Sequence, residues 1–415
     1  MKRIPPYGLI MDTDIRPGLA TRLGRVKPAA TVQMTIKARA LREAGVDVIQ
    51  LTIGEPDFAT PPHAIEAAHQ AALRGETKYP PQDGTRALKE AVRRKFMRDR
   101  GLDYELDEIM VGNGGKQVLY NALMATLDDG DEVIVPAPYW GAYTLMTRIC
   151  GGEPVVVNCS QNNGFKPRPE DIEAAITART KWVFLNFPNN PTGAACSRAE
   201  LRGIADMLLR HPHVWIMSDD MYEHLVYGDI EYDTIVAVEP RLRDRTLTIS
   251  GVSKTYAMTG WRIGFGAGPR DLIRGMVNMQ GQATAGVSSI GQAAAIAALD
   301  GPQELVAERA GIYRRRRDMV VDALNAMPGI TCHRPEGAFY VFPNIAGLLG
   351  LTTPKGVRIG TDEDFALACL DEAHVALVHG AAFGMSPYLR ISYATDEASL
   401  AEACRRLDAF TRSLR

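Results

Sequence analysis

Short apolar runs alternate with longer amphipathic stretches through the middle of the chain. Apolar runs of strand length predict β-strands at residues 132–136, 154–158, 181–187, 214–219, 246–250 and 263–267. Between them, helical spacing predicts helices at 117–127 and 197–209, and Ser197 with Glu200 forms a capping box at the start of the second. This alternation is typical of an α/β fold with a mainly parallel, mixed sheet flanked by helices. Ligands of such sheets bind beyond the carboxyl ends of the strands.

The two ends of the chain carry a different pattern. Residues before about 54 form a basic, loop-like arm with one helix at 34–44. Residues after about 301 contain a long helix, strands at 338–343 and 389–393, and a closing helix. We expect both ends to pack together, so that 1–54 is an arm plus part of a small domain, 55–300 a large domain, and 301–415 the rest of a small α+β domain.

Composition and charge exclude several classes of function. The 415 residues are 46% hydrophobic, with 47 Lys and Arg against 49 Asp and Glu and a formal net charge of −2. No global basic field favours nucleic acid or an anionic membrane as a partner. The six cysteines form no C-x-x-C pair, and neither a secretory signal nor a membrane-spanning run is visible. We therefore expect a soluble, cytoplasmic protein without a metal, and interpret the run 314–317, four arginines, as a solvated helix face.

A lysine and an arginine follow the strand predicted at 246–250. Lys254 suits Schiff-base chemistry, because a partly desolvated amine can lose its proton. Arg262, eight residues later, suits a phosphate because its planar fork gives paired, charge-assisted hydrogen bonds. Pyridoxal phosphate carries both an aldehyde and a phosphate and would use both residues. Taken alone, the pair is better explained as a surface lysine and a structural arginine, and only the other segments change that preference.

Two further segments end strands in polar groups. The turn at 186–193 follows an apolar strand and presents the Asn190 amide, although it could be a simple β-turn. Asp219 ends the strand at 214–219, where a carboxylate could keep a pyridine nitrogen protonated, and Tyr222 could donate to the phenolic oxygen of the same ring. The alternative is a purely structural role, in which Asp220 is a helix-capping acid that faces water.

Glycines and one arginine suggest anion sites. Gly114 and Gly115 precede a helix and expose backbone N–H groups, which makes a phosphate cradle, although Gln117 rules out a Walker A loop. Arg390 lies on an apolar strand, and a buried arginine needs an anion, either a ligand or a nearby glutamate.

These segments, in this order, resemble the class I aminotransferases, specifically the bacterial branch of the aspartate aminotransferase family. The likeness runs from about residue 26 to the end of the chain. It rests on the segment 51–58 (LTIGEPDF), the turn 190–193 (NPTG), the pair Ser253-Lys254 and the segment 261–264 (WRIG). The resemblance implies fold type I of the pyridoxal phosphate enzymes, with 55–300 as the cofactor-binding domain, and a homodimer with shared active sites.

The resemblance also implies roles for individual residues. Lys254 would be the Schiff-base lysine and proton shuttle, and Asp219 the partner of the pyridine nitrogen. The remaining cofactor contacts would come from Tyr222, Asn190, Ser253, Arg262, Gly114, Gly115, Lys116, the stacking ring of Trp140, and Tyr79 of the neighbouring subunit. Ser250 or Ser253 would compensate for Gly251, which replaces a phosphate-binding serine of some relatives.

Substrate contacts follow from the same resemblance. Arg390 would grip the α-carboxylate, with Gly54, Asn190 and Trp140 nearby. Lys116 matches the lysine that meets the distal carboxylate of aspartate, helped by Thr31, whereas Ala29 stands where a serine is expected. The hydrogen bond lost at Ala29 would be one to a charged group, which is worth about 1.5–3 kcal/mol, but the charge of Lys116 remains. We therefore predict transamination of aspartate or glutamate with 2-oxoglutarate. The alternatives are an aromatic, prephenate or broad-specificity aminotransferase, a C–S β-lyase, or a regulatory module that binds the cofactor without turnover.

Overall fold

The computed structural model describes residue 18 and residues 20–26, 30–228 and 230–415. In these residues the strands are β1 (Ile49–Gln50), β2 (Ile109–Asn113), β3 (Glu132–Ala137), β4 (Glu153–Asn158), β5 (Thr180–Asn186), β6 (Trp215–Asp219), β7 (Thr246–Gly251), β8 (Ile263–Ala267), β9 (Tyr340–Val341), β10 (Val375–Ala376), β11 (Val378–His379) and β12 (Leu389–Ser392). The α-helices are α1 (Ala30–Glu43), α2 (Pro62–Leu73), α3 (Arg86–Arg100), α4 (Gly115–Thr126), α5 (Ala142–Ile149), α6 (Pro169–Ala175), α7 (Arg198–Leu208), α8 (Ile235–Val238), α9 (Arg270–Ala283), α10 (Ser289–Asp300), α11 (Glu304–Asn325), α12 (Asp362–Ala368) and α13 (Glu397–Ser413).

A seven-stranded sheet in the order β2-β8-β7-β6-β5-β3-β4 forms the centre of the fold. The strands from β7 to β4 run parallel to one another, whereas β8 is antiparallel to β7 and β2 is antiparallel to β8. Alternate residues of β5 enter different cores: Trp182 and Phe184 on one face, Val183 and Leu185 on the other. Both faces are therefore covered by helices, as a mainly parallel sheet requires. The predicted mixed α/β fold of type I is confirmed.

The predicted strands and helices lie close to the observed ones. The strand at 263–267 coincides with β8, and the other five predicted strands of the large sheet differ from β3 to β7 by one residue at either end. The capping box at the start of α7 is present, with the Ser197 hydroxyl accepting from Glu200 N–H. The short strand β2 was not predicted, and α1 and α4 begin four and two residues earlier than expected.

The two ends of the chain meet at a short parallel pairing. Ile49 and Gln50 of β1 are in register with Val375 and Ala376 of β10. A second hydrophobic core contains residues of α1 together with residues of α11, α12 and α13. A separate three-stranded sheet, β11-β12-β9, contributes to the same core. These contacts support the proposed division of the chain near residues 54 and 301, which remains a prediction.

The interpretation of the four-arginine run as a solvated face is wrong for half of it. Arg314 and Arg315 of α11 are exposed, but Arg316 and Arg317 are buried. Arg316 Nη1 donates to Asp57 at 2.9 Å, and Arg317 Nη1 donates to the Pro335 carbonyl at 2.9 Å. Four consecutive residues cover more than one turn of a helix, so a helix packed on one face must direct some of them inward.

No helix within residues 20–26, 30–228 and 230–415 is both long enough and apolar enough to cross a membrane.

Candidate active site

A cavity of about 520 Å³ opens at the carboxyl edge of the large sheet. The ends of β5 and β6, the segment after β7 and the first turn of α4 contribute to its wall, which is where a mainly parallel sheet is expected to bind its ligand. Most of the residues predicted from the sequence line this cavity: Gly54, Gly115, Lys116, Trp140, Asn190, Asp219, Tyr222, Ser253, Lys254, Arg262 and Arg390.

Lys254 lies three residues beyond the end of β7 and is half-buried. Its Nζ donates a hydrogen bond of 2.6 Å to the Gly54 carbonyl. Burial, assisted by the positive charges of Arg390 and Arg262, lowers the pKa of the amine to about 8. An amine with this pKa is partly deprotonated near neutral pH, as a nucleophile or a base must be.

Asp219 is the last residue of β6, and its carboxylate is buried. Burial raises the pKa of this group, and hydrogen bonds from the Tyr143 hydroxyl at 2.6 Å and from Met221 N–H at 3.3 Å oppose the rise. The Asp219 carbonyl accepts from Asn186 Nδ2 at 2.8 Å, and the two residues are register partners in β5 and β6. Because both donors to the carboxylate are neutral, it is suited to a cationic group that a ligand presents.

Arg390 lies on β12 with its guanidinium between two rings, 4.8 Å from the ring centres of Tyr340 and Phe383. Nη1 donates to Asn190 Oδ1 at 3.0 Å, and Nη2 donates to the Thr52 carbonyl at 2.5 Å. Its buried Nε has no hydrogen-bond partner among the described residues. Burial lowers the pKa of this group. A buried guanidinium bonded to neutral acceptors is a binding site for a carboxylate.

Tyr222 follows β6 by three residues and is buried. Its hydroxyl lies 2.8 Å from the Tyr340 hydroxyl, and the two rings meet edge to face at 5.8 Å. Burial raises the pKa of both phenols, so each retains its proton and can donate it in a hydrogen bond.

Arg262 and the start of α4 form a second anion site. Arg262 adopts a left-handed conformation, φ +58°, and its guanidinium donates to the Thr259 carbonyl at 2.7 Å and the Asn113 carbonyl at 3.3 Å. A Cβ on Gly114 would lie 2.5 Å from Arg262 Nη2, so glycine is required for this approach. The helix N-terminus and the guanidinium together suit a phosphate.

Lys116 Nζ lies over the Trp140 ring, 4.8 Å from its centre. Burial, followed by the charge of Arg262, lowers the pKa of the Lys116 amine. The Trp140 ring also meets Tyr143 edge to face at 5.4 Å. Lys116 thus places a cation beside an aromatic wall of the cavity.

Two alternatives left open by the sequence are resolved by these contacts. Of the two serines that could compensate for Gly251, Ser253 lines the cavity, whereas the Ser250 hydroxyl donates to Glu223 at 2.5 Å. The interpretation of Asp220 as a solvent-facing capping acid is wrong. Asp220 is buried, accepts from the Ser218 hydroxyl at 2.8 Å, and has its pKa raised to about 7 by burial.

Three predicted residues lie outside the cavity wall or outside the described side chains. Gly114 is the residue before α4 and contacts Arg262 from behind the cavity. Tyr79 is 94% exposed and lines a separate surface hollow of about 460 Å³ with residues 284–290. Thr31 is in the first turn of α1, but its side chain lies outside the described part of the chain, as does Ala29.

Sequence reasoning missed several residues of the cavity, among them Tyr143, Asn186 and Tyr340. Tyr143 lies in the first turn of α5, three residues after Trp140, and its closeness in sequence to a predicted site residue is the signal that could have found it. Asn186 ends a strand beside Asp219, and the strand-end argument applied to it as well. Tyr340 belongs to the apolar run at 338–343, where nothing distinguishes it from a core residue.

Comparison with known proteins finds one matching family and several similar relatives. The chain matches the family described as aminotransferase class I and II over residues 46–407. The aspartate aminotransferase of Rhizobium meliloti (strain 1021) is 54% identical, covering 94% of this chain and 95% of that protein. The aspartate/prephenate aminotransferase of Cereibacter sphaeroides is 55% identical, covering 95% and 99%. A solved structure of the Rhizobium meliloti aspartate aminotransferase superposes with a TM-score of 0.93 at 53% identity, covering 96% of this chain and 99% of that one.

Proposed function

The chain belongs to the class I and II aminotransferases, and on this premise we propose that it moves the amino group of L-aspartate or L-glutamate to a 2-oxo acid, with 2-oxoglutarate as the acceptor when aspartate is the donor. It is a pyridoxal phosphate-dependent aminotransferase. The observation that carries the choice of substrate is the pair of cations in one cavity, Arg390 and Lys116. A dicarboxylic amino acid offers an anion to each of them.

The residues of the cavity fit the cofactor. Arg262 and the N–H groups at the start of α4 would hold its phosphate, and the buried Asp219 carboxylate, contacted by two neutral donors, would hold its ring nitrogen in the protonated form. Tyr222 and the Asn190 amide would donate to its phenolic oxygen, Trp140 would cover its ring, and Ser253 would add a hydroxyl. When bound, pyridoxal phosphate supplies an aldehyde that condenses with amines and a ring that takes up electrons from the substrate Cα.

Lys254 supplies the base. Its amine, held 2.6 Å from the Gly54 carbonyl, would give up the cofactor aldehyde to the amino group of the substrate and, once free, would remove the proton from the substrate Cα. The same amine would hold that proton and deliver it to the carbon contributed by the cofactor, after which water would release the 2-oxo acid. A second 2-oxo acid enters the same site and the proton transfers run in reverse, which gives ping-pong kinetics.

Arg390 and Lys116 orient the substrate for that transfer. Arg390 receives the α-carboxylate beside Asn190 and Gly54, and Lys116 receives the distal carboxylate at the Trp140 wall. Thr31 would assist Lys116, by analogy with the family. Because both carboxylates of the substrate are fixed, its Cα proton has one orientation relative to the Lys254 amine, which favours the transfer.

A pair of variants tests the choice of substrate. Lys116→Met should lower kcat/KM for L-aspartate about 10- to 100-fold, since a hydrogen bond to a charged group contributes about 1.5–3 kcal/mol. The same variant should leave L-alanine turnover nearly unchanged, and Lys116→Arg should retain part of the preference for aspartate. Equal losses for aspartate and alanine would assign Lys116 to the cofactor alone and remove the argument for an acidic substrate.

Prephenate is a second candidate acceptor, because the relative from Cereibacter sphaeroides carries that substrate in its name. Prephenate has two carboxylates and an apolar ring, and the cavity wall adds the apolar side chains of Val32, Ile36 and Ile53 to its two cations. Amination of prephenate by the aspartate-loaded enzyme should then depend on Lys116 in the same way. A rate with prephenate below about one hundredth of the rate with 2-oxoglutarate would exclude prephenate as a main acceptor. Such a ratio corresponds to a barrier higher by about 2.7 kcal/mol, since each 1.36 kcal/mol changes the rate tenfold.

We further propose a homodimer in which Tyr79 serves the partner's phosphate site. The exposed ring of Tyr79 and the hollow of residues 76–80 and 284–290 support this assignment. Tyr79→Phe and Lys254→Ala should each impair activity, and mixing the two under exchange conditions should restore one complete site per hybrid dimer. A monomer in solution, or no recovery on mixing, would contradict the shared site.

A further inference from the structure

Behind the loop that carries Tyr222, a buried carboxylate joins three parts of the fold. Glu223 follows Tyr222 directly, and its side chain is 2% exposed. It accepts a hydrogen bond from the Ser250 hydroxyl at 2.5 Å and forms an ion pair with Lys95 of α3. Arg100, at the end of the same helix, lies 3.4 Å from the second carboxylate oxygen and donates to the Glu223 carbonyl at 3.3 Å.

The carboxylate is ionised despite its burial. Burial alone would raise the pKa of Glu223, but the positive charge of Lys95, followed by those of His224 and Arg100, lowers it to about 2. A buried ion of this kind is stable only when its hydrogen bonds are satisfied, and removing a partner is costly. Glu223 therefore holds the groups around it in one arrangement.

Glu223 and its partner Ser250 belong to the two segments that carry the reacting groups. Asp219 and Tyr222 lie on the segment before it, and Ser250 lies four residues before Lys254. The backbones of the same segments are joined by the β6–β7 pairing, in which Asp219 is in register with Ile249, and by the hydrogen bond of 2.8 Å from Asp220 N–H to the Ile249 carbonyl. The side chain of Glu223 thus links the segment that carries Asp219 and Tyr222 to the segment that carries Lys254.

We infer that the Ser250–Glu223 hydrogen bond, backed by the Lys95 ion pair, is a positioning device that sets Lys254 relative to Asp219 and Tyr222. The inference rests on the proposed function, in which Lys254 exchanges a proton with groups held by the other two residues. Proton transfer is sensitive to small displacements, and misplacement by about 1 Å can cost about 100-fold in rate. A device that fixes two loops against each other therefore acts on kcat and on cofactor affinity, whereas the α-carboxylate site at Arg390 is unaffected.

A metal ion is not needed to explain this cluster. Asp99, Glu223 and His224 place one ligand atom each within 4.8 Å of one another. The ammonium of Lys95 already contacts two of these three residues, Glu223 directly and Asp99 at 3.6 Å. The cation that the carboxylates require is therefore supplied by the chain itself.

Two matched variants of β7 test the inference. Ser250→Ala removes the hydroxyl that reaches Glu223. Thr246→Val removes a buried hydroxyl four residues earlier on the same strand, which donates to the Leu242 carbonyl at 2.8 Å. Each variant loses one buried hydrogen bond, and Ser250→Ala, whose bond is to a charged group, should lower the melting temperature of the cofactor-free protein at least as much as Thr246→Val. Only the first touches the proposed link.

The measurements are the dissociation constant of pyridoxal phosphate for the cofactor-free protein, and kcat and KM of the fully loaded enzyme with L-aspartate. For Ser250→Ala we expect about tenfold weaker cofactor binding and about tenfold lower kcat at unchanged KM, with Thr246→Val at wild-type values. Equal behaviour of the two β7 variants in an active wild-type background would overturn the inference alone. A wild-type protein that neither binds the cofactor nor converts aspartate would overturn the proposed function and the inference with it.

Discussion

Replacing Tyr143 with phenylalanine removes one of the two hydrogen bonds to the Asp219 carboxylate. The Tyr143 hydroxyl donates to Asp219 Oδ2 at 2.6 Å, and both side chains are buried. The hydroxyl opposes the rise in the Asp219 pKa that burial causes. Without it, the ionised carboxylate is less stable, and it holds the proton on the cofactor ring nitrogen less firmly.

The size of the effect follows from the strength of that bond. A hydrogen bond to a charged group contributes about 1.5–3 kcal/mol. Because Met221 N–H still donates to the carboxylate, at 3.3 Å, we expect about half of this loss to appear in the barrier. A barrier higher by about 0.8–1.5 kcal/mol slows the reaction about four- to twelvefold. KM for the amino acid should hardly change, since Arg390 is not involved.

The assay is a single-turnover half-reaction with L-aspartate, followed by the absorbance of the cofactor in a fully loaded enzyme. Tyr139→Phe is the matched control, because it removes a hydroxyl from the same segment and leaves the Tyr143 bond to Asp219 in place. The control should react at the wild-type rate. A Tyr143→Phe rate within twofold of wild type, at equal cofactor loading, would refute the reasoning that the hydroxyl tunes Asp219.

Three other outcomes follow from contacts described above. In the cofactor-free protein burial lowers the pKa of the Lys254 amine to about 8, and only the neutral amine attacks an aldehyde, so the rate of cofactor capture should rise with pH up to about 8 and level off above it; a flat profile from pH 6.5 to 9 would contradict this. Arg390→Lys keeps the charge but loses the fork, so KM for aspartate should rise about 10- to 100-fold with a smaller change in kcat, and the reverse pattern would argue against an α-carboxylate site. Ser197→Ala breaks the capping box of α7 and should lower the free energy of unfolding by about 1 kcal/mol, seen as a lower urea midpoint at unchanged activity.

Much of the large sheet was predictable because its strands are buried on both faces. Such strands are continuous apolar runs, and each of the six predicted ones ended near a turn or a polar residue. The antiparallel strand β2 escaped because its five residues include Gly112 and Asn113, which are poor strand formers. The early starts of α1 and α4 have a related cause, since alanine and glycine at a helix start leave no apolar periodicity to detect.

The site was predictable where a residue carries its chemistry at the end of a strand. Asp219 closes β6 and Asn190 follows β5, so the strand-end argument located both without any knowledge of their contacts. Tyr340 was invisible for the opposite reason, because a tyrosine inside an apolar run has the pattern of a core residue. The burial of Arg316 and Arg317 could not be predicted, because four consecutive arginines contain no apolar residue that shows which side of the helix faces the core.

The contacts that hold the reacting groups in place have no local pattern at all. Arg390 donates to the Thr52 carbonyl across 338 residues of sequence, and Lys254 donates to the Gly54 carbonyl across 200. Thr52 and Gly54 lie two and four residues after the end of β1, and the pairing of β1 with β10 brings this segment to the site. A motif identifies a side chain by what it can do, whereas the acceptor here is a backbone carbonyl, which every residue possesses. The sequence can therefore identify the lysine and the arginine of this site, but the geometry that makes one a base and the other a carboxylate site exists only once the two ends of the chain have met.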